Sequence, residues 1–230
     1  MIEGLRAITL DLDDTLWPIA PAIERAEAAL HAWFVAHAPE VAHRYDVQAL
    51  RALRDRVAGE HPDWSHDFTR IRHHSLVLAL QHCGHDAALA DAAFEVFFRV
   101  RNELQLFDEV EEALTALAAH YPLLAVTNGN ADLALAGVAH HFAGVVSARS
   151  LGVGKPDARI FDEACRRLGV APHQVLHVGD DWALDVQGAR AAGLHAAWLC
   201  RADGLAAVPA HVWVIRHLGE LVDALLPVTN

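Results

Sequence analysis

The stretch LDLDDTLW, residues 10–17, ends an apolar run with Asp11, Asp13 and Asp14. Aspartate is depleted in strands and costly to bury as an anion, so this much charge in one turn calls for a cation or for chemistry. Further segments carry polar groups just beyond apolar runs: VTNGN (126–130), VGKPD (153–157) and HVGDDWALD (177–185). Together they make Asp11, Asp13, Thr127, Asn128, Lys155, Asp180, Asp181 and Asp185 the candidate site residues. Carboxylates gathered in one crevice repel each other unless a hard cation neutralises them, and Mg²⁺ takes oxygen ligands, typically carboxylates, water and substrate phosphate. A carboxylate can also attack phosphorus, while a second one nearby protonates the leaving oxygen and then activates water. A bend at the strand end can turn Asp11 and Asp13 towards one bound phosphate.

Lys155 is the only lysine in the chain; every other Lys/Arg cation is arginine. A compact point charge beside GKP suits the grip of a carboxylate and a phosphoryl oxygen. The Thr127 hydroxyl and the N–H groups near Asn128 and Gly129 can donate to the remaining oxygens as charge moves.

These groups need elements to bring them together. Short apolar runs at 6–11, 123–128, 144–148, 175–180 and 195–200, with 211–215 as a sixth, predict strands buried on both faces. Helical spacing at 108–120 and 158–168 alternates with them, which implies a doubly wound parallel α/β sheet. Carboxyl ends of parallel strands share one edge, so the polar segments converge there. Residues 17–107 break the alternation and read as amphipathic helices: an all-helical insertion after the first strand. The expected organisation is a core of 1–16 and 108–230 with a helical cap at 17–107.

Composition limits the partners. The net charge is −12 at pH 7, which disfavours nucleic acid and anionic membranes and requires any phosphate site to be built locally. Cys83, Cys165 and Cys200 are odd in number and lack a C-x-x-C pair, so reduced thiols are expected rather than a disulfide framework or zinc site. No run reaches the length of a membrane span and the start lacks a signal-type apolar region; a cytoplasmic enzyme, monomer or homodimer, is the expectation. The histidines show no H-E-x-x-H pattern, and His73-His74 and His140-His141 read as solvated or packing residues.

In order along the chain, D-x-D, then T, then K, then G-D-x-x-x-x-D resembles the haloacid dehalogenase superfamily of phosphohydrolases over nearly its whole length. The helical insertion resembles that family's C1-type cap, which implies a pocket closed between cap and core. The resemblance implies Asp11 as nucleophile and Asp13 as general acid/base, both also contacting Mg²⁺, with Thr127 and Asn128 on the phosphate. It further implies Lys155 as the charge-stabilising lysine, Asp180 as a metal ligand, and Asp185 behind them as holder of a metal-bound water or of Lys155. Asp185 lies five residues after Asp180; a four-residue spacing can be counted from Asp181 instead, but Asp180 is preferred as the direct ligand.

TLWPIAPAI, HDFTRIRHHSL, AVTNGNA and LHVGDDWALDV resemble the bacterial branch that dephosphorylates FMN and 5-amino-6-(5-phospho-D-ribitylamino)uracil. Trp17, Arg70, Arg72 and His73 are the candidate substrate contacts, with hinge packing for Trp17 and ion pairs to cap acids for the arginines as the plainer alternatives. A broad nucleotide or sugar-phosphate phosphatase and a phosphosugar mutase keep the same acids. A carbon–halogen hydrolase would lack the second aspartate, a cap-lysine phosphonatase would need a lysine the insertion does not have, and a binding module would not need the full polar set.

Overall fold

The computed structural model describes residues 2–201 and 212–226. The chain enters β1 (Ala7–Leu10), whose residues are all buried. It then leaves for α1 (Ile19–His37), α2 (Pro39–Arg44), α3 (Val47–Glu60), α4 (Phe68–His82) and α5 (Leu89–Arg101). It returns through α6 (Val110–Ala118) to β2 (Leu123–Thr127) and β3 (Val145–Ser147), then α7 (Ala148–Leu151) and α8 (Ala158–Leu168). After β4 (Val175–Gly179) come a π-helical turn at Trp182–Gln187, α9 (Gly188–Ala191), β5 (His195–Leu199), β6 (Trp213–Ile215) and α10 (Leu218–Leu225). The expected strands are all present; His211, at the edge of the sixth expected run, lies outside the described residues.

All strand pairs are parallel and the order is β3-β2-β1-β4-β5-β6. The chain steps outward from β1 to β2 and β3, then returns to place β4 on the other side of β1. In open α/β sheets that reversal opens a crevice at the strands' carboxyl ends. Asp11 follows β1 and Asp180 follows β4, so the two lie on either side of it.

Helix α8 shows how the sequence builds a sheet cover. Asp157 accepts a hydrogen bond from the Arg159 N–H at its start, and Gly169, at φ 67°, ends it in the left-handed region that a side chain disfavours. Between them Ile160, Phe161, Ala164 and Cys165 form one buried stripe, packed with Val126, Val146 and Val175 of the sheet.

The chain divides into two compact units: Met1–Pro18, Gln105–Gly129 and Gly137–Asn230 in one, Ile19–Leu104 and Asn130–Ala136 in the other. The insertion expected at 17–107 thus corresponds to a slightly shorter helical unit that also takes in residues 130–136. Arg101 reaches Asn130 at 3.1 Å and the Asp132 N–H donates to the Asn102 side chain at 2.9 Å; polar side chains tie that loop to the end of α5. Ala22, Ala26, Leu30 and Phe34 repeat every four residues along α1 and form its buried face. Leu53, Leu76, Leu80 and Phe97 complete that core. The four-residue spacing that keeps one face apolar is what the sequence carried.

Truncation of the fully buried Phe34 to Ala should cost about 3–5 kcal/mol of helical-unit stability. Hydrogen exchange checks this: amides of α1 and α5 should lose protection while β1 and β4 keep theirs.

Candidate active site

Just past β1 the backbone folds sharply. The Asp11 N–H still donates to the Val178 carbonyl at 2.9 Å, in continuation of the ladder, but the Leu16 N–H turns back to the Leu12 carbonyl at 2.8 Å. Asp14 sits at φ 59°, in the left-handed region where aspartate is tolerated better than most residues, and its N–H meets the Trp17 carbonyl at 2.8 Å. This is the bend expected at the strand end. The fully buried Trp17 donates its indole N–H to Asp13 Oδ1 at 2.8 Å. Of the two readings of Trp17, substrate contact and hinge packing, its full burial and its bond to Asp13 agree with the packing one.

Lys155 Nζ donates to Asp11 Oδ1 at 2.5 Å and to Asp185 Oδ1 at 2.6 Å, in a side-chain environment only 2% exposed. An ammonium has three N–H donors, which leaves one for an incoming oxygen. Its main chain is held by Asn128: the amide nitrogen donates to the Lys155 carbonyl at 2.9 Å and the amide oxygen accepts from the Lys155 N–H at 2.7 Å. The Asn128 side chain, expected on phosphate, is therefore engaged in placing the lysine. Gly154 allows this approach, since a Cβ there would lie 2.6 Å from the Asn128 amide oxygen. The Thr127 hydroxyl accepts from the Gly129 N–H at 2.9 Å, so its own hydrogen is available to donate.

Behind the lysine runs a buried polar chain. Asp185, on the π-helical turn, accepts from Lys155, from His177 Nε2 at 3.0 Å and from the Asp181 N–H at 3.0 Å. His177 Nδ1 meets Thr9 Oγ1 at 2.9 Å. Burial holds His177 below its ordinary pKa, so the ring is neutral; with Asp185 ionised, Nε2–H donates to Asp185 and the Thr9 hydroxyl donates to Nδ1. Thr9 and His177 are also direct partners in the β1–β4 register. The sequence reading missed both. Their signal was a polar side chain inside each of two otherwise apolar runs, which a buried sheet tolerates only when the groups satisfy each other. Any side chain at Gly179 would overlap the Asp185 carboxylate.

The adjacent aspartates separate cleanly. Asp181 is exposed and caps the turn, accepting from the Ala183 and Leu184 N–H groups at 2.8 Å each. Asp185 is buried against Lys155. Asp180 accepts from the Thr15 hydroxyl at 3.0 Å, and its carbonyl takes the Trp198 indole N–H at 2.8 Å. Thr15 thus orients a site carboxylate.

Charge is unevenly compensated. Burial alone would raise Asp185, but Lys155 and His177 outweigh it and hold the group well below the usual carboxylate range. Asp11 shares the same lysine without those other donors, and burial pushes it well above its ordinary value. Asp180 is raised to about 6, first by burial and then by Asp185. Oxygen atoms of Asp11, Asp180 and Asp185 lie within 4.8 Å of one another. Two raised carboxylates in an all-oxygen cluster are what a hard divalent cation would relieve, so these residues fit one.

The candidate residues of the helical unit are engaged locally. The Arg70 guanidinium lies 4.0 Å over the Trp64 ring, and His73 Nε2 meets Asp91 at 2.8 Å. Arg72 stacks 3.7 Å over Phe97 and lies 3.7 Å from the buried Glu27, which also pairs with Arg51 at 2.5 Å. Burial and the neighbouring Arg54 lower Arg72 to about 10. Its expected role as a substrate contact competes with this packing role.

A family model for haloacid dehalogenase-like hydrolases matches residues 5–193. The chain belongs to that family. It is 34% identical over 204 residues to the Escherichia coli K12 5-amino-6-(5-phospho-D-ribitylamino)uracil phosphatase YigB, covering 87% of this chain and 85% of that protein. It is 33% identical to a phosphoserine phosphatase of Thermus thermophilus, covering 86% and 89%. Among solved structures, a 2-haloacid dehalogenase from Pseudomonas syringae pv. tomato DC3000 matches with TM-score 0.89 and 39% identity over 96% of this chain and 98% of that one. The Bacillus subtilis HAD-hydrolase YfnB shares the fold, with TM-score 0.70 at 20% identity over 97% and 99%. This chain is accordingly an enzyme of a hydrolase family with phosphatase relatives. No helix among the described residues is long and apolar enough to cross a membrane.

The Asp180 pKa carries a sign that can be checked. The native group keeps its proton to about pH 6, whereas its ordinary value is 3.8; native protein therefore binds more protons in that window and loses stability as pH rises through it. In chelator, Asp180→Asn, which keeps an acceptor for Thr15, should raise Tm at pH 8, and the gain should fade toward pH 4. An equal Tm for the two proteins at pH 8 would contradict this reading.

Proposed function

We propose that this chain is a Mg²⁺-dependent phosphomonoesterase working through an aspartyl-phosphate on Asp11, with FMN or 5-amino-6-(5-phospho-D-ribitylamino)uracil as substrate. The observation that carries the reading is the pairing of two differently supported carboxyls past one strand end: Asp11 on Lys155, Asp13 on the Trp17 indole. That division suits a nucleophile and a proton carrier.

In the first half-reaction an Asp11 carboxylate oxygen attacks phosphorus and the ester P–O bond breaks. Asp13 gives its proton to the departing oxygen. The third Lys155 N–H and the Thr127 hydroxyl stabilise the phosphoryl oxygens as charge moves onto them. In the second half-reaction Asp13, now a carboxylate, takes a proton from water. The water oxygen attacks phosphorus, the bond to Asp11 breaks, and phosphate leaves with Asp11 restored. Asp11, Asp180 and the Asp13 backbone carbonyl would hold a divalent cation, which would supply positive charge to offset the crowded carboxylates and the transferring phosphoryl group.

The substrate assignment rests on the Escherichia coli relative, whose name gives the ribitylamino-uracil phosphate. The runner-up is a broad phosphatase of nucleotides or sugar phosphates, and a phosphosugar mutase would use the same acids. The Pseudomonas structure favours a second reading, carbon–halogen hydrolysis. Halide leaves without a proton, so the first step of that chemistry needs no acid at Asp13.

Phosphate release should be strong with FMN or the ribitylamino-uracil phosphate plus Mg²⁺ and lost in chelator, with no halide from 2-haloacids. Asp11→Asn should lower kcat by at least about 10³-fold while the fold persists. Comparable turnover of every phosphoester would favour the broad phosphatase, isomerised sugar phosphate the mutase, and halide release without metal the dehalogenase.

A further inference from the structure

The motif chemistry leaves one donor cluster unexplained. Glu111, in the first turn of α6, meets His140 and His141 from the 3₁₀ turn at Ala139–His141. Oε1 of Glu111 is 3.0 Å from His141 Nε2 and 3.6 Å from His140 Nε2. The two imidazoles are 3.9 Å apart at their centroids and tilted by 41°. One donor atom from each residue lies within 4.8 Å of the others.

From this geometry we propose that Glu111, His140 and His141 form a second divalent-metal site, for a borderline ion of the Zn²⁺ class and separate from the all-oxygen cluster at Asp11. The donor types select the ion. Two imidazole nitrogens and one carboxylate oxygen suit Zn²⁺, Ni²⁺ or Cu²⁺ and poorly suit Mg²⁺. A tetrahedral ion about 2.0–2.2 Å from each donor sets neighbouring donors about 3.3–3.6 Å apart, close to the spacing already present. His140 at 3.6 Å is too distant for a hydrogen bond to the carboxylate, yet its nitrogen is gathered with the other two. Exposure differs usefully: the His141 side chain is 6% exposed, while Glu111 and His140 are 56% and 62% exposed. One ligand is thus fixed by packing, and the open side leaves room for water or a further ligand. A bound ion would tie the start of α6 to the turn that leads into β3.

Zn²⁺ uptake measured against a chromophoric chelator, on full-length protein in excess Mg²⁺, tests the assignment. Wild type and Asp180→Asn should each bind a single tight Zn²⁺, and His140→Ala and Glu111→Gln should each weaken it on the order of 100-fold. Both altered side chains are exposed, so these variants should fold and keep phosphatase activity. Undiminished affinity in His140→Ala, loss of binding in Asp180→Asn alone, or no uptake by wild type would each overturn the proposal.

Discussion

Everything at the carboxyl edge of the sheet depends on one buried ammonium shared between two carboxylates. Lys155 comes from the segment after α7, Asp11 from β1 and Asp185 from the turn after β4, so a single charge joins three separate parts of the chain. Removal of Lys155 would leave two close carboxylates without their shared cation, a far larger cost than loss of an exposed ion pair. The surrounding residues serve that arrangement: Asn128 fixes the lysine main chain, His177 and the Asp181 N–H donate to Asp185, and Thr9 satisfies the other ring nitrogen of His177.

The sheet order explains why these residues can meet. Reversal between β1 and β4 opens the crevice, and the register that pairs Thr9 with His177 also sets Asp11 beside the β4 end. Backbone in an uncommon region follows at once, at Asp14, where the chain turns so that Asp13 reaches its indole partner. Rigid strands supply position, and the turns supply direction.

Much of this was legible in the sequence. Apolar runs that end in aspartate gave both the strands and the edge, because a fully buried parallel strand has no other reason to finish in charge. The lone lysine marked the charge-bearing position. Local signals failed where tertiary partners decide a role. Sequence leaves Trp17 open between substrate contact and hinge packing, and Arg72 between substrate contact and an ion pair; Trp17 lies buried behind Asp13 and Arg72 packs on Phe97 beside Glu27. The neighbouring aspartates 180 and 181 differ by a single residue in their spacing to Asp185, too little to assign both roles. Burial separates them, with Asp181 capping a turn in solvent and Asp180 receiving Thr15.

Covalent capture tests the central claim most directly. Rapid mixing with substrate labelled in its phosphoryl group, acid quench and peptide mapping should find label on the peptide that contains Asp11, with none in Asp11→Asn. Turnover without any protein-bound label, or label on a peptide lacking Asp11, would contradict the account.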